Sequence, residues 1–317
     1  MLSATCESVW AAAEIDAAYA AILRTIVAPR LTIELHPDTA VLTDLVDLCC
    51  LAYGGDRRSC EQVAVAWNLL YTALYLLDGV EDGDLSAGPW AQWGTGAAIN
   101  LSTGLLATTG ALLSQLEGAG VGVAIAQRVR ADFYHTLLKM TAGQHHDLTR
   151  GEPTLEQCWQ IVGAKSGELF GLACQAGALL AGADERLAVS CKEFGQMLGI
   201  LIQIGDDLDD LWSRPGASSD LVAGDRWKLP VAYAMTVLPP TQREQLRNLL
   251  LAAPGDESAE AEARSCVLSA GAALYLAAEA RCLYERAGRM LYEAMPESAY
   301  RAGLLRLLDQ YTPLKDR

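Results

Sequence analysis

Basic residues are scarce in this 317-residue chain, and their scarcity excludes several kinds of partner. Lysine and arginine together number 24 against 39 aspartates and glutamates, so the formal net charge is −15 with the histidines neutral. Nucleic acids and anionic membrane surfaces attract proteins through clustered basic side chains. The composition therefore argues against a nucleic-acid partner.

Leader-like and membrane-spanning patterns are also missing. The first residues lack the basic and then apolar order of a secretory signal. The longest uncharged stretch, residues 85–116, is interrupted by proline, glutamine, asparagine and many small residues, so we expect no transmembrane segment there. The nine cysteines form no Cys-x-x-Cys pair, which favours buried free thiols in a reducing compartment. We expect a cytoplasmic protein.

Apolar residues, in contrast, make up 51% of the chain, and charged residues only 20%. They recur at spacings of three and four, without the alternation typical of strands. The sequence predicts an all-α, single-domain helical bundle over residues 1–317. Predicted helices span residues 7–27, 39–53, 58–80, 93–116, 121–148, 154–181, 185–212, 227–237, 240–252, 257–273, 274–294 and 297–310.

Acidic residues are concentrated in two intervals that contain no lysine or arginine. The first interval lies between Arg58 and Arg128, and the second between Lys192 and Arg214. Each contains an acidic cluster that follows a strongly apolar helical run. The clustered acids are Asp78, Glu81 and Asp82 in the first interval, and Asp206, Asp207, Asp209 and Asp210 in the second.

The spacing of these acids favours a metal site. Residues four positions apart lie about 40° apart around a helix axis, so Asp78 shares a face with Asp82, and Asp206 with Asp210. Like charges at this spacing destabilise a helix, most of all near its C-terminal end. Mg²⁺ accepts such carboxylates together with the oxygens of a phosphate. A solvated acidic surface would explain one cluster, but two clusters favour Mg²⁺ binding.

The two acidic clusters stand in the segments Asp78-Gly-Val-Glu-Asp82 and Gln203-Ile-Gly-Asp206-Asp207-Leu-Asp-Asp210. The segment that ends at Asp210 resembles the second aspartate-rich motif of the trans-type isoprenyl diphosphate synthases, and the segment that ends at Asp82 resembles a degenerate first motif of that family. The resemblance extends over about residues 40–240. Further matches are Trp93 to Asn100, Gly143-Gln144-x-x-Asp147, Ala164-Lys165-Ser166-Gly, Ser219-Asp220-Leu-x-x-Gly224 and Leu229-Pro230.

The resemblance implies a helical bundle around a deep apolar cavity, a homodimer, and an allylic prenyl diphosphate as the substrate. It implies Mg²⁺ as the cofactor, with Asp78, Asp82, Asp206, Asp207 and Asp210 as ligands. Asp78, Asp82, Asp206 and Lys165 are the implied catalytic residues. The residues implied to contact the diphosphate are Lys165 and Gln203, with Arg214, Arg226 or Lys228 capping it from the loop side.

Aromatic and apolar side chains before Asp78 are predicted to line the substrate cavity. Trp67 and Tyr71 lie about one helical turn apart and could stabilise a carbocation through their ring faces. In the family, the residues four and five before the first motif limit the length of the prenyl chain. Leu74 and Ala73 stand there, and neither is a bulky aromatic. We therefore expect a farnesyl or geranylgeranyl substrate.

The segments that bind a second diphosphate in the family have no recognisable counterpart here. A chain-elongating synthase holds isopentenyl diphosphate with several fixed cations. The corresponding stretch here is His36 to Thr43, and the first lysine of the whole chain is Lys139. Without that second substrate, the ionised donor would cyclise, lose a proton or capture water. The sequence therefore predicts a terpene synthase.

Two alternatives remain open at this point. The chain could be a prenyltransferase, either one that elongates prenyl diphosphates or one that prenylates a non-isoprenoid acceptor. It could also be a non-catalytic regulatory subunit of a prenyl synthase. Gly79, which stands where the family usually has an aspartate, would suit the second alternative.

Overall fold

Helices form all of the regular structure in the part of the chain that is described. The computed structural model describes residues 2–31, 35–83, 93–149, 151–212 and 228–313, and these contain no strand. The all-α prediction is confirmed.

The α-helices are α1 (Leu2–Ala12), α2 (Ala17–Leu31), α3 (Leu45–Ala52), α4 (Arg57–Glu81), α5 (Gly94–Ser114), α6 (Val123–Thr149), α7 (Leu155–Val162), α8 (Glu168–Leu180), α9 (Glu185–Trp212), α10 (Leu229–Val237), α11 (Pro240–Ala252), α12 (Glu257–Ser269), α13 (Ala272–Ala294) and α14 (Ala299–Gln310). Two short 3₁₀ turns, Pro37–Thr39 and Leu42–Asp44, precede α3, and a π-helix, Gly163–Gly167, joins α7 to α8.

The helices belong to two compact units. The first comprises residues 1–135, 172–192 and 291–307, and the second comprises residues 136–171, 193–290 and 308–317. The expectation of one domain over the whole chain stays a prediction.

The first unit is organised around α4, which packs against α3 and α5. Its central residues are apolar on nearly every side, and Trp67 is completely buried. Two side-chain hydrogen bonds also join α4 to α5: Gln62 Nε2 donates to the carbonyl oxygen of Leu112 at 2.6 Å, and Thr109 Oγ1 donates to that of Ala66 at 3.3 Å. These bonds set the register of the two helices.

Seven of the nine cysteines are buried, as predicted, whereas Cys266 is half-buried and Cys282 is exposed. Burial raises the pKa of the Cys6 and Cys158 thiols to about 12. These thiols are therefore protonated at neutral pH and act as small apolar groups.

Three helices of the described residues, α4, α5 and α9, are long and apolar enough by length and composition alone to cross a membrane. In α4, 61% of the most apolar window is buried inside the protein. The expectation of no transmembrane segment stays a prediction.

The prediction of one helix over residues 7–27 is wrong. Glu14 has a positive φ of 52°, which ends α1. Asp16 then begins α2, because its Oδ1 atom accepts hydrogen bonds from the backbone N–H groups of Ala18 and Tyr19, both at 2.9 Å. Apolar periodicity continues across the break, so the period alone does not reveal it.

The ends of α3, α5 and α8 lie within two residues of the predicted helix ends at residues 53, 116 and 181. Gly54 follows α3 with φ 78°, and Gly120 and Gly182 likewise have positive φ values. Glycine reaches this left-handed region without steric cost and is common after helix C-termini. Gly271, with φ 88°, separates α12 from α13 and corrects the predicted boundary at residue 273 by a few residues.

The second unit contains a close approach of α9 to the π-helix. A Cβ atom on Gly199 would lie 2.5 Å from the carbonyl oxygen of Ser166, and one on Gly143 would lie 2.7 Å from the Cβ of Ala164. These glycines therefore let α9 and α6 contact the π-helix with almost no intervening side chain.

Gly199→Ala should destabilise the protein, because the added methyl group would displace backbone atoms in this contact. Forced overpacking costs about 1–3 kcal/mol. Gly205→Ala in the same helix is the matched control, since a Cβ there meets nothing within 4 Å. It should leave stability unchanged or raise it by about 0.5–1 kcal/mol through helix propensity. Urea unfolding of both variants measures the difference, and equal midpoints would contradict the proposed close contact.

Candidate active site

A small polar pocket in the second unit collects side chains from five elements. Its volume is about 30 Å³. The lining residues are Asp147, Cys158, Ile161, Val162, Lys165, Gln203, Asp207, Lys228 and Leu229.

Asp147 pairs with two lysines in this pocket. Lys165 Nζ donates a hydrogen bond to Asp147 Oδ2 at 2.7 Å, and Lys228 Nζ lies 3.8 Å from the same oxygen. The side chains of both lysines are only 18% exposed. The Asp147 carboxylate orients the ammonium groups of both lysines in a partly desolvated environment.

A chain of hydrogen bonds connects Ser166 of the π-helix to two lining residues of the pocket, Gln203 and Asp207. Ser166 Oγ donates to Gln203 Oε1 at 3.1 Å, and Gln203 Nε2 donates to Asp207 Oδ1 at 3.0 Å. Burial raises the pKa of Asp207 to about 6, and repulsion from Asp210 and Asp206 acts in the same direction. The Gln203 hydrogen bond and the charge of Lys228 partly oppose this rise.

The π-helix determines where Lys165 and Ser166 lie relative to α6 and α9. Its wider turn departs from the period of the flanking α-helices, and such insertions recur at functional sites. Here it places Lys165 against Asp147 of α6 and Ser166 against Gln203 of α9. The prediction of one uninterrupted helix over residues 154–181 is wrong at this segment.

Gln144 lies one helical turn before Asp147 on α6. Both of its side-chain amide atoms are buried and have no hydrogen-bond partner among the described residues. An unsatisfied buried amide costs free energy unless a ligand or water satisfies it. Gln144 therefore offers an unsatisfied donor and an unsatisfied acceptor one helical turn from Asp147.

The acidic end of α9 carries two kinds of aspartate. Asp207 is buried and bonded to Gln203, whereas Asp206 is in contact with solvent. Nearby protein atoms exclude part of the water around Asp206, and this burial raises its pKa to about 6. Repulsion from Asp209 and Asp210 adds to the shift. Asp207 therefore lies on the pocket side of the helix, about 100° from Asp206.

The donor set at this helix end fits a hard divalent cation. Carboxylate oxygens that repel one another are stabilised by Mg²⁺, which binds through one or two carboxylates and retains waters. Within the described ranges, no group of three or more His, Cys, Asp and Glu side chains is placed to hold a metal ion. The fit thus rests on the carboxylate chemistry, with phosphate oxygens or water completing the shell.

Asp78 and Asp82 lie at the end of α4 in the first unit. Asp78 is in the last turn, and the Asp82 N–H donates to the Asp78 carbonyl oxygen at 2.8 Å. Gly83, with φ 77°, follows directly. Both aspartates are half-buried. Their predicted role as metal ligands stays a prediction, as does that of Asp206, Asp207 and Asp210.

The predicted cavity residues divide between two sides of α4. Trp67, Tyr71, Leu74 and Asp78 follow one another at spacings of four, three and four, which places them on one helix face. The rings of Trp67 and Tyr71 lie 5.4 Å apart at 41°. Ala73 is fully buried and lies off this face. Leu74 is therefore the better placed of the two residues predicted to limit chain length.

Two predicted phosphate contacts, Arg214 and Arg226, lie outside the described residues. The other three predicted contacts, Lys165, Gln203 and Lys228, all line the pocket. The pairing of Asp147 with both lysines was not predicted, although the Gly-Gln-x-x-Asp match was the available signal. Cys158 and the buried Arg264 were not predicted as site residues either, and no sequence signal pointed to them.

The helices and the site define an all-helical protein with an aspartate-rich helix end beside a lysine–aspartate pocket. The family model for polyprenyl synthetase matches residues 41–267, which is more than half of the chain. The chain therefore belongs to the polyprenyl synthetase family.

Curated relatives carry the names of prenyl diphosphate synthases. A geranylgeranyl diphosphate synthase of Mycobacterium tuberculosis is 32% identical over 202 residues, which cover 60% of this chain and 57% of that protein. A nonaprenyl diphosphate synthase of the same organism is 30% identical over 69% of this chain and 64% of its own length. The chain thus spans less than two thirds of these relatives. Their names support the prenyltransferase alternative better than the terpene-synthase prediction.

Solved structures agree on the fold. A polyprenyl synthetase from Streptomyces coelicolor A3(2) superposes with a TM-score of 0.75 at 25% identity, covering 93% of this chain and 99% of that one. A polyprenyl synthase from Caulobacter crescentus, complexed with calcium and isoprenyl diphosphate, has a TM-score of 0.76 at 20% identity, covering 97% of both chains.

Proposed function

We propose that this protein is a Mg²⁺-dependent prenyltransferase whose donor is an allylic prenyl diphosphate. Family membership supports the reaction class, and the pocket supports the donor. The observation that carries the proposal is the pair of partly buried lysines, Lys165 and Lys228, held by Asp147 beside the aspartate cluster of α9. Fixed cations of this kind recognise phosphate oxygens.

Each group has a physical role in this proposal. Lys165 and Lys228 bind the diphosphate oxygens, and Gln203 orients the neighbouring Asp207 carboxylate. Gln144 provides amide hydrogen bonds to the bound substrate. Ile161, Val162 and Leu229 keep bulk water from this part of the site, which strengthens the electrostatic contacts.

Metal ligands are proposed at the acidic helix end of each unit taken by itself. These are Asp206 and Asp210 of α9 in the second unit, and Asp78 and Asp82 of α4 in the first. When bound, Mg²⁺ supplies charge neutralisation of the diphosphate leaving group. We also propose that Trp67, Tyr71 and Leu74 line the path of the prenyl chain, since they share the α4 face that carries Asp78.

Terpene synthesis is a second candidate, and one specific observation favours it. The absence of lysine and arginine between Arg58 and Arg128 leaves no recognisable site for a second diphosphate in that interval. The two candidates share donor ionisation and differ in what attacks the allylic cation.

A product assay distinguishes the candidates. The protein is incubated with geranyl, farnesyl or geranylgeranyl diphosphate and Mg²⁺, with and without isopentenyl diphosphate. A longer prenyl diphosphate formed only with isopentenyl diphosphate supports the prenyltransferase. A hydrocarbon or alcohol released without it supports the terpene synthase and overturns the main proposal.

The same assay tests the regulatory-subunit alternative. One relative is named as component 2 of the heptaprenyl diphosphate synthase of Geobacillus stearothermophilus, and it is 30% identical over 57% of this chain. Absence of turnover with every donor, together with no Mg²⁺-dependent binding of inorganic pyrophosphate, would favour a subunit that acts only with a partner. If the protein binds pyrophosphate in the presence of Mg²⁺ and without an added partner, it has a metal site of its own. That result would exclude a regulatory subunit that lacks a metal site.

A further inference from the structure

A buried arginine contacts the aspartate-rich end of α9 from a separate helix. Arg264 lies in the middle of α12 and is only 5% exposed, and Glu260, one turn earlier, is 7% exposed. Burial of a guanidinium group is costly unless most of its donors are bonded. The contacts of Arg264 therefore indicate what it stabilises.

Three donors of Arg264 are directed at two acceptors. Its Nη2 and Nε atoms donate to Glu260 Oε1 at 2.7 and 3.1 Å. Its Nη1 atom donates to the backbone carbonyl oxygen of Asp210. Glu260 thus orients the guanidinium group, and the free end of the group contacts the chain within the Asp206–Asp210 segment.

The carbonyl of Asp210 is one of the last in α9, which ends at Trp212. The final four carbonyls of a helix have no partner within the helix, and the negative end of its dipole lies there. A positive charge at this point opposes both the dipole and the repulsion among Asp206, Asp209 and Asp210. It also offsets the unfavourable position of an acidic cluster at a helix C-terminus.

Apolar packing holds Arg264 in place. Leu211, the residue after Asp210, belongs to one buried cluster with Ala263 and Val267, which flank Arg264 on α12. The end of α9 therefore contacts α12 through hydrophobic packing and through the guanidinium hydrogen bond. A separate variant can remove each of these two contacts.

We propose that Arg264, oriented by Glu260, is a positioning residue for the metal-binding aspartates of α9. It fixes the backbone at Asp210, so that the Asp206 and Asp210 carboxylates keep the spacing that a divalent cation requires. This inference rests on the proposed function, since it presumes that these carboxylates bind Mg²⁺. Groups that orient metal ligands from behind them contribute about 10- to 100-fold to metal affinity.

The test measures Mg²⁺-dependent binding of inorganic pyrophosphate by calorimetry, together with the melting temperature of the metal-free protein. Arg264→Met removes the charge and the hydrogen bonds. Arg264→Lys keeps the charge but loses the forked geometry. Val267→Ala is the control, because it weakens the α9–α12 packing and leaves the guanidinium contact intact.

We expect Arg264→Met to weaken binding by about 10- to 100-fold and Arg264→Lys to weaken it by a smaller factor. Val267→Ala should lower the melting temperature without changing the affinity by more than a few fold. If both arginine variants bind as tightly as the unmodified protein, or if Val267→Ala loses as much affinity at an equal loss of melting temperature, the positioning role is wrong. If the unmodified protein itself fails to bind, the proposed function is wrong, and this inference falls with it.

Discussion

Asp206→Asn should abolish most of the turnover of an allylic prenyl diphosphate. Removal of one preorganised electrostatic contact in an active site lowers turnover by about 100- to 1000-fold. Burial raises the pKa of Asp206 to about 6, and repulsion from the neighbouring carboxylates Asp209 and Asp210 adds to the rise. A divalent cation relieves that repulsion, and asparagine would leave the cation with one charged ligand fewer. Steady-state kinetics at saturating Mg²⁺ measures the loss.

Stability separates this loss from unfolding. The pKa of Asp206 in the fold lies above its usual value near 4, so the fold disfavours the ionised form. Its contribution to stability is therefore present below pH 4 and is lost as the pH rises through about 6. At pH 7 without metal, Asp206→Asn should consequently melt at the same temperature as the unmodified protein or at a higher one.

Asp209→Asn is the matched control for this prediction. It removes the same charge from the same turn of α9, but Asp209 is exposed and is not among the predicted ligands. We expect its turnover to stay within a few fold of the unmodified value. Equal losses in the two variants would show that the net charge of the cluster matters and that Asp206 has no special role as a ligand.

Lys165→Met should raise the KM for the allylic diphosphate by about 10- to 100-fold, the range that corresponds to loss of a hydrogen bond to a charged group. The variant should also be less stable, since Asp147 would lose its partner at 2.7 Å, while Lys228 stays at 3.8 Å. Breaking a buried ion pair costs about 3–5 kcal/mol. The remaining lysine should reduce that cost, and the double variant Asp147→Asn with Lys165→Met should recover part of it.

Lys139→Met provides the comparison for Lys165. Lys139 also pairs with a carboxylate, Glu168 at 3.3 Å, but its side chain is 55% exposed. Exposed ion pairs contribute about 0–1 kcal/mol. Both KM and the unfolding midpoint should therefore remain near those of the unmodified protein. A similar increase of KM in the two variants would contradict the proposal that Lys165 binds the diphosphate.

Much of the helical architecture could be predicted because its causes are local. Apolar residues at spacings of three and four identify α4, α5 and α9, and glycines such as Gly54 and Gly120 mark helix ends where φ must be positive. The break at Glu14 and the π-helix at Lys165 were missed. At both places the apolar period runs through the irregularity, so the pattern contains no sign of it.

The sequence by itself determined the all-helical class, the two acidic clusters and the motifs that led to the family, because each depends on residues close together in the chain. Only the tertiary structure decided that Asp147 pairs with Lys165 and Lys228, that Asp207 bonds to Gln203 and lies away from Asp206, and that Arg264 reaches the end of α9. These contacts depend on which helices meet and at what distance. Side-chain packing sets that distance. At Gly199, for example, the missing Cβ lets the Ser166 carbonyl approach α9 closely, and the spacing of residues along the chain does not predict this contact.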